Sequence, residues 1–394
     1  MDYRETQERP SYMYPLEPFF SKRKVIGVID PCYGSSHVIY PLELENFKHK
    51  RVFKLPLNVL DKASTFNEFT PLPVKISPNL LHTWNAIPRY GDFIVSFELE
   101  LPRYLGNPSA SEIEKGLKML ASSRCKAIAA LSEFAASNAR TFFKEKGYEK
   151  LNEKLCVLRG TIPDPRQKYN LIPKPSDKKG IKAVVIGTQL FRKGGMYAIK
   201  AFEKLRQEGV DVELTLIGKF EDSSYVFGDF IPDAAEWTEK AKSYDWVKML
   251  PPVTNKEVFE QLAEHDLCLY PSIDESLGWL PIEASMLGVP VLACNIGAFN
   301  EFVDHNKTGF LIDIPLSENR RWIGLSSSGK EKKDYCESLD KLVVEGIFNY
   351  VKFLAENKAK VLEMGNNARR FIEPMYGAKT HAASLDNLYS TVFR

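Results

Sequence analysis

Several motifs that mark well-known enzyme classes are missing from this sequence. It has no HExxH motif, no zinc-type spacing of Cys and His, and no Walker phosphate loop, so a zinc protease and a P-loop NTPase are disfavoured. No Gly-x-Gly-x-x-Gly motif follows a strand-like run, which disfavours a dehydrogenase. The chain also has no Asp-x-Asp pair, a common means of holding a divalent metal. We therefore expect a site that works without a metal.

The chain also lacks an excess of charge of one sign and any long apolar run. Its 53 Lys and Arg residues nearly balance its 51 Asp and Glu residues, and a net charge of +2 argues against a dedicated nucleic-acid partner. No apolar run approaches the roughly 18 residues that a membrane-spanning helix needs. The first twenty residues lack the basic and then apolar pattern of a secretion signal. A cytoplasmic protein is expected.

The cysteines give no support to a disulfide framework. The six cysteines form no CxxC pair, and most lie in strand-like apolar contexts, as Cys268 and Cys294 do. Buried free thiols in a reducing compartment are the expected state of these residues.

What the sequence does contain is a long alternation of short β-like runs and longer helical ones. A length of 394 residues favours two domains, and βαβ alternation predicts parallel sheets with helices on both faces. Prolines and lysines at 164–180 are typical of a linker. We predict a first α/β domain over 1–165, a linker over 166–180, and a second α/β domain over 181–374. A last helix at 375–394 is expected to pack back onto the first domain.

Individual elements follow from the same pattern. The polar stretch at 317–335 is predicted to be a mobile surface loop, and a role as a lid is the weaker alternative. Helices are predicted at 109–124, 132–147 and 194–209. Strands are predicted at 24–30, 51–57, 79–84, 92–99, 126–131, 155–160, 182–188, 212–218, 246–251, 266–271, 289–294 and 309–314.

One stretch, ESLGWLPIEASMLG at 275–288, combines two carboxylates with a helix start. Pro281 suits the first position of a helix, so Glu283 is expected in the first turn and Glu275 in the loop before it. Free backbone N–H groups near Gly278, Trp279 and Leu280 can stabilise an anion. The stretch thus predicts a phosphate cradle flanked by two carboxylates. Alternatively, Glu283 merely complements the helix dipole.

A second stretch, IGTQLFRKGGMYAIKAF at 186–202, has the pattern of a strand, a loop and a helix. Arg192 and Lys193 come just before the predicted helix start. Two cations and a helix N-terminus at the end of a strand suit a diphosphate. A solvated surface pair is the alternative, and the nearby cradle at 275–288 favours the diphosphate.

These stretches resemble the donor domain of GT-B retaining glycosyltransferases, in particular family 4. The resemblance runs through IGTQLFRKGG, PSIDESLGWLPIEASMLGVPVLA and GAFNEFVDHNKTGFLI, and it covers most of 182–314. Its most specific part is the pair of glutamates with seven residues between them. The resemblance implies a GT-B fold, with two Rossmann-like parallel-sheet domains facing each other across a cleft. The first half resembles the family only weakly.

The resemblance also assigns expected roles to residues of the second half. Glu283 matches the glutamate that holds the donor ribose, and Glu275 matches the one near the donor sugar. Lys193 matches the diphosphate-binding lysine. The backbone amides of Gly278, Trp279 and Leu280 match the loop that meets the sugar or phosphate.

Three further positions of the second half carry weaker expectations. The family usually has an arginine directly after the strand glycine, where this chain has Thr188, and Arg192 is the candidate replacement. Val253, after Pro252, falls where the donor base usually packs. Glu301 matches a recurrent glutamate for which we expect a structural role.

The first half departs from the family near the donor sugar. The family often has a histidine after the fourth strand, where this chain has Glu98. His82 is a candidate replacement, although a structural histidine is the commoner case. Gly34, in the loose match DPCYGSSH at 30–37, is expected to reach the cleft.

The activity implied is retaining, metal-independent transfer of a hexose from a nucleotide-diphosphate sugar. Glu275, Lys193 and Arg192 are the expected catalytic residues, and no cofactor is expected besides the donor substrate. A UDP-sugar is favoured because such donors are common in the family. The acceptor is left open among a glycan, a lipid-linked sugar and a protein. The basic stretch at 139–155 could rest on a membrane, although a solvated face is favoured.

Two other functions fit the same fold. One is a non-catalytic subunit that binds a nucleotide sugar, with Thr188 and Glu98 as signs of lost chemistry. The other is a GT-B sugar-nucleotide epimerase, for which only Glu98 and His82 could serve as acid and base.

Overall fold

The chain was analysed as a computed structural model, which describes residues 23–29, 44–56, 66–71, 78–104, 106–173, 180–221 and 223–394. Within these ranges the strands form two six-stranded parallel sheets and one small sheet of three strands. Helices cover the large sheets, as expected for crossover connections between parallel strands. The expected α/β class with two parallel-sheet domains is confirmed.

The first large sheet has the order β2-β1-β5-β7-β8-β9. Its central strands β7 and β8 are almost entirely buried and mostly apolar, as expected for strands covered on both faces. Its strands are β1 (Lys24–Ile29), β2 (Phe47–Val52), β5 (Leu80–Trp84), β7 (Phe93–Phe97), β8 (Cys125–Ala130) and β9 (Leu155–Val157).

The second large sheet has the order β12-β11-β10-β13-β14-β15. Its first strand, β10, therefore lies in the middle, beside the fourth, which is the doubly wound order of Rossmann-like domains. Its strands are β10 (Ile181–Gln189), β11 (Val212–Lys219), β12 (Val247–Leu250), β13 (Leu267–Tyr270), β14 (Val291–Cys294) and β15 (Gly309–Ile312).

The small sheet is formed by three short strands that lie between β2 and β7 in the sequence, and it was not predicted. β3 (Lys54–Pro56) pairs antiparallel with β4 (Glu68–Pro71), which pairs parallel with β6 (Ile87–Pro88). The single strand predicted at 51–57 was wrong, because this region contains the end of β2 and all of β3. The edge strand β2 has the polar sequence FKHKRV, so apolar periodicity gave no signal for its start.

The helices alternate with the strands, as predicted. Serine caps begin the first two helices of the described chain, with Ser109 and Ser132 accepting from backbone N–H groups. The helices are α1 (Ala110–Ala121), α2 (Glu133–Glu145), α3 (Pro165–Tyr169), α4 (Gly195–Gln207), α5 (Ser224–Phe227), α6 (Ala234–Ser243), α7 (Asn255–Ala263), α8 (Trp279–Leu287), α9 (Gly329–Glu356), α10 (Ala359–Tyr376) and α11 (Ala378–Val392).

The last helix, α11, packs on the first sheet. Leu385 and Tyr389 share a buried apolar cluster with Ile26, Leu80 and Ile94. The chain therefore crosses back from the second domain to the first after Tyr376, as the sequence predicts.

The connection between the domains contacts the helix α8 of the second domain. Arg166, in α3, donates from Nε to the carbonyl of Leu287 at 2.8 Å. Arg369, in α10, donates to the carbonyl of Met286 at 2.6 Å and also pairs with Asp164. Two cations thus satisfy carbonyl groups at the C-terminal end of α8, where positive charge is favoured.

The stretch at 317–335 is not one loop. α9 begins at Gly329, and Trp322 is only 1% exposed. Leu316 forms a β-bridge with Trp322, which closes a compact turn. The mobile-loop prediction was wrong here because a single buried tryptophan, not periodicity, holds the polar segment down.

The remaining surface predictions can be checked in the same way. In the basic stretch at 139–155, Phe143 and Leu151 are buried in the first domain, so these apolar side chains do not form a membrane face. Five cysteines of the described ranges are free thiols, and Cys32 lies outside those ranges.

Candidate functional site

The candidate site lies where the strand order of the second sheet reverses. β10 and β13 are neighbours, and the chain leaves them towards opposite edges of the sheet. The crevice at the carboxyl ends of two such strands is where α/β sheets bind ligands. Arg192 and Lys193 follow β10, and Ser272, Asp274 and Glu275 follow β13. The fold therefore brings together the two stretches that the sequence singled out.

Glu275 is the centre of this crevice. Its Oε1 accepts hydrogen bonds from Arg192 Nη1, at 2.5 Å, and from Lys193 Nζ. The hydroxyl groups of Tyr270 and Ser272 also donate to Oε1, each at 3.1 Å. The side chain is 11% exposed. Four donors on one oxygen fix the carboxylate in one position.

The two cations keep Glu275 ionised in spite of its burial. Burial raises the pKa of a carboxyl group, but Lys193 and Arg192 outweigh it and hold the pKa of Glu275 below its ordinary value. Burial lowers the pKa of Lys193, and Glu275 opposes that shift. Burial also disfavours the charge of Arg192, but Glu275 outweighs it and raises the pKa of that guanidinium. The site is a compact cluster of charges that are largely shielded from water.

Lys193 reaches Glu275 across a glycine of β10. A Cβ atom added to Gly187 would lie 2.6 Å from Cγ of Lys193. The stem of the lysine therefore rests directly on the backbone of the strand. Any side chain at position 187 would displace it.

The helix α8 begins beside these charges, two residues earlier than predicted. Gly278 is its N-cap with a φ of 75°, Trp279 and Leu280 are the first two helical residues, and no side chain caps this end. Pro281 is thus the third helical residue, where its missing N–H still costs no hydrogen bond. Glu283 lies one turn into the helix and is half-buried, so its placement in the first turn was wrong.

The start of α8 is packed tightly on both sides. A Cβ atom on Gly278 would lie 2.6 Å from the ring of Phe299. The ring of Trp279 meets Tyr376 edge to face, with centroids 6.4 Å apart. The Trp279 side chain is therefore directed to the crossover between domains, and its backbone lies at the helix start.

Glu98 comes from the first domain, directly after β7. Its Oε1 lies 3.9 Å from Arg103 Nη1. Burial raises the pKa of Glu98, Arg103 opposes the shift, and the negative charge of Glu275 adds to it. The charge of Glu275, in the second domain, therefore acts on Glu98, in the first.

His82 does not join this cluster. It is 0% exposed, its Nδ1 lies 2.7 Å from the hydroxyl of Tyr389, and its Nε2 lies 2.8 Å from Oγ of Ser96. Burial lowers its pKa well below the ordinary value, with a further contribution from His49. His82 therefore has a structural role, because both of its ring nitrogens already have hydrogen-bond partners within the protein.

The other described residues singled out by the sequence do not belong to the charge cluster around Glu275. Val253 is half-buried after β12, just before the Thr254 cap of α7. Gly34 lies outside the described residues. Thr188 is exposed at the end of β10, while Arg192 points into the cluster.

Glu301 joins the two domains. Its carboxylate accepts from the backbone N–H groups of Glu133 and Phe134, at 3.0 and 2.8 Å, and from Arg159 at 3.3 Å. Glu133 and Phe134 begin α2, where a negative charge is favoured. This contact is a structural role, as the sequence analysis expected.

The sequence analysis missed several residues that shape the site. Tyr270 and Ser272 belong to the apolar-looking stretch around β13, and only their spacing to Glu275 could have indicated them. Asp274 pairs with Arg321, which is 47 positions away. No local pattern predicts such a contact.

The described ranges contain neither a cluster of metal ligands nor a helix that could cross a bilayer. No group of three or more His, Cys, Asp or Glu side chains there is arranged to hold a metal ion. In the same ranges, no helix is both long enough and apolar enough to cross a bilayer.

Comparison with known families finds a match within the second half of the chain. Residues 170–320 match the family described as glycosyl transferases group 1. This part of the chain is therefore similar to group 1 glycosyl transferases. The charge cluster, the start of α8 and Glu301 all lie within it.

Curated relatives match over only part of this chain. A D-inositol 3-phosphate glycosyltransferase of Pseudarthrobacter chlorophenolicus is 32% identical over 124 residues, which is 31% of this chain and 28% of that protein. The amylovoran biosynthesis glycosyltransferase AmsK of Erwinia amylovora is 27% identical over 165 residues, 40% of this chain and 38% of that protein. The chain thus spans well under half of the length of these relatives.

Solved structures match over nearly the whole chain. Anabaena HepE, solved with UDP-glucose, has a TM-score of 0.57 at 14% identity, covering 94% of this chain and 100% of that one. Sucrose-phosphate synthase of Thermosynechococcus elongatus also has a TM-score of 0.57 at 14% identity, covering 94% and 99%. The expected GT-B fold is confirmed, and its second half includes the residues that match the group 1 family.

Proposed function

We propose that this protein is a retaining glycosyltransferase that moves a hexose from a nucleotide-diphosphate sugar without a metal. The observation that carries the proposal is the convergence of Arg192 and Lys193 on Glu275, beside the uncapped start of α8. Two cations and a helix N-terminus at a sheet switch point suit a diphosphate. In the structure both cations form ion pairs with Glu275. A bound diphosphate would form further ion pairs with the same two side chains.

The leaving diphosphate is the group that needs stabilising. As the bond to the anomeric carbon breaks, negative charge develops on the diphosphate oxygen, and donors already in place stabilise it without reorganisation. Lys193 and Arg192 supply two positive charges, and the first N–H groups of α8 supply a partial one. The absence of an Asp-x-Asp pair from the sequence supports a metal-independent reaction.

Glu275 is proposed to position the donor sugar. Within the described part of the chain, four hydrogen bonds fall on its Oε1, and its lowered pKa keeps it ionised. The family resemblance favours attack by the acceptor on the same face of the sugar over a covalent intermediate on Glu275. Oε2 is then the oxygen available to a sugar hydroxyl.

The residues that contact the other parts of the donor are proposed from the family resemblance. Glu283 is proposed to bind the ribose hydroxyls and Val253 to pack against the base. The backbone of Gly278, Trp279 and Leu280 is proposed to meet the sugar or phosphate. UDP is the favoured nucleotide, because Anabaena HepE was solved with UDP and with UDP-glucose.

Glu98 is proposed to face the transferred sugar from the first domain. Its position after β7 and its electrostatic contact with Glu275 support this role. The acceptor is proposed to be a glycan, a lipid-linked sugar or a protein held against the first domain.

The test is release of nucleoside diphosphate from UDP-, GDP- and ADP-sugars, in the presence of EDTA. Lys193→Ala and Glu283→Ala are measured beside the wild type. Lys242→Ala is the matched control, since Lys242 is an exposed lysine that pairs with Glu239 on α6. We expect release from one donor, a loss of about 10²–10³ in rate for Lys193→Ala, and no change for Lys242→Ala.

Other results would point elsewhere. Binding of one nucleotide sugar without release in the presence of any tested acceptor would support the non-catalytic subunit. Conversion of the donor sugar to its epimer would support the epimerase. Absence of binding to all three donors would refute the donor site.

A further inference from the structure

The segment around Trp322 contacts the loop that carries Glu275 and also the loop that follows β14. It is anchored by the buried Trp322 ring and closed by Ser317, whose N–H and Oγ both donate to the carbonyl of Arg321, at 2.8 and 2.9 Å. Arg320 has a left-handed φ of 54°, which turns its side chain and that of Arg321 to different neighbours. We call residues 317–322 the arginine turn.

Arg320 holds the loop that follows β14. Its Nε donates to the carbonyl of Gly297 at 2.9 Å, and its carbonyl accepts from the N–H of Gly297 at 3.0 Å. A Cβ atom on Gly297 would in turn lie 2.7 Å from the carbonyl oxygen of Glu275. This loop is therefore packed directly against the loop that carries Glu275.

Arg321 binds the residue next to Glu275. Its Nη2 donates to both carboxylate oxygens of Asp274, at 2.8 Å each, and its Nε donates to Oδ1 at 3.0 Å. The planar guanidinium is suited to such a forked contact with a carboxylate. The Asp274 side chain is 15% exposed, so the pair is only partly screened by water.

Asp274 also contacts the cations of the site. Its carbonyl accepts from Arg192 Nη1 at 2.8 Å. Its negative charge acts on Lys193, where it favours the charged amine. If Arg321 were absent, the carboxylate of Asp274 would lose its forked partner, and its negative charge would no longer be balanced by Arg321 where it acts on Lys193.

We propose that Arg321 is a positioning residue of the donor site, which holds the carboxylate of Asp274 away from Arg192 and Lys193 so that these cations remain available to a diphosphate. The inference rests on the proposed function, because it needs a diphosphate ligand at this site. Arg321 acts through Asp274 and does not itself contact the ligand. The turn that appears in the sequence as a polar loop is thus a fixed part of the donor site.

The test measures binding of inorganic pyrophosphate and of UDP by calorimetric titration. Arg321→Ala should weaken both ligands on the order of tenfold, as expected when a charged group close to a binding site loses its partner. Asp274→Asn should bind both at least as tightly as the wild type. The double variant Arg321→Ala with Asp274→Asn should recover most of the affinity, because the competing carboxylate is gone.

The recovery separates this inference from other roles of Arg321. If Arg321 touched the ligand, removing Asp274 would not restore binding. If the pair only stabilised the fold, Asp274→Asn would weaken binding as much as Arg321→Ala does. Either result would overturn the proposal. Arg206→Ala is the matched control, since Arg206 forms an exposed pair with Asp211 at 3.0 Å, and it should leave both affinities unchanged.

Two further measurements keep the test decisive. In turnover with the donor, Arg321→Ala should lower kcat/KM at least as much as it weakens binding, and adding Asp274→Asn should restore most of it. If Arg321→Ala does not fold, Asp274→Asn alone still decides, because weaker binding in that variant contradicts the proposal. A wild type that binds neither pyrophosphate nor UDP, GDP or ADP would refute the donor site itself, whereas unchanged binding in Arg321→Ala would refute only the role of Arg321.

Discussion

Gly187→Ala is a change that removes no functional group and should still disable the site. The new Cβ atom would lie 2.6 Å from Cγ of Lys193 and 3.2 Å from its Cδ and Cε, while ordinary contact begins at 3.4 Å. The stem of Lys193 must therefore move by about 0.8 Å, the difference between 3.4 and 2.6 Å. Its amine would leave the position at which it meets Glu275.

The cost to stability should be small in comparison. Gly187 does not have the left-handed φ that favours glycine, and the side chain that must move is flexible at its far end. We expect a loss of about 1 kcal/mol, typical of mild overpacking, and a decrease in Tm of about 2–4 °C. A misplacement near 1 Å in a catalytic arrangement can cost on the order of 10² in rate.

The assay combines nucleoside-diphosphate release with thermal unfolding. Gly187→Ala should lower kcat/KM about 10²-fold while the protein remains folded. The double variant with Lys193→Ala should be no slower than Lys193→Ala alone, because the glycine acts only through the lysine. Full activity in Gly187→Ala, or additive losses in the double variant, would refute this reasoning.

Three more predictions follow from the same contacts. Gly278→Ala should raise the donor KM at least about tenfold, because its φ of 75° disfavours a side chain and Phe299 blocks the space, and steady-state kinetics would show it. Glu301→Gln should weaken the domain contact by about 1–2 kcal/mol by removing a charge from the start of α2, and limited proteolysis should then cleave between the domains sooner; an unchanged cleavage rate would contradict this. The folded pKa of Glu275 lies below its ordinary 4.5, so its ion pairs stabilise the fold above that pH, and the stabilisation is lost as pH falls through the lower folded value. Calorimetry should therefore show a steeper loss of stability in acid for the wild type than for Glu275→Gln.

Much of the second domain could be predicted from sequence because its strands are buried on both faces. β13 and β14 are short unbroken apolar runs, and the central residues of β10 and β11 are buried and mostly apolar. Such runs mark central strands of parallel sheets. The positions of Arg192, Lys193 and Glu275 then follow from the rule that ligands bind at the carboxyl ends of these strands. The first domain was harder because its edge strand β2 is polar.

Details of the site depended on contacts that have no local signal. The start of α8 at Trp279 is set by the left-handed Gly278, whereas the proline rule pointed to Pro281. The pairing of Asp274 with Arg321 joins residues 47 positions apart. His82 was a candidate ligand by position, but the returning helix α11 covers it with Tyr389.

The two arginines at the far end of α8 have a consequence for the whole protein. Arg166 belongs to the connector between the domains. Together with Arg369 it donates hydrogen bonds to carbonyl groups at the C-terminal end of α8, and the N-terminal end of this helix is proposed to meet the donor. Coupling between two sites is reciprocal. If the contact with the connector favours donor binding at α8, donor binding stabilises the connector contact by the same free energy. Saturation with donor should therefore slow amide hydrogen exchange at residues 165–169. Exchange at the connector would then report the fraction of donor sites that are occupied, and the measurement would not require the acceptor to be known.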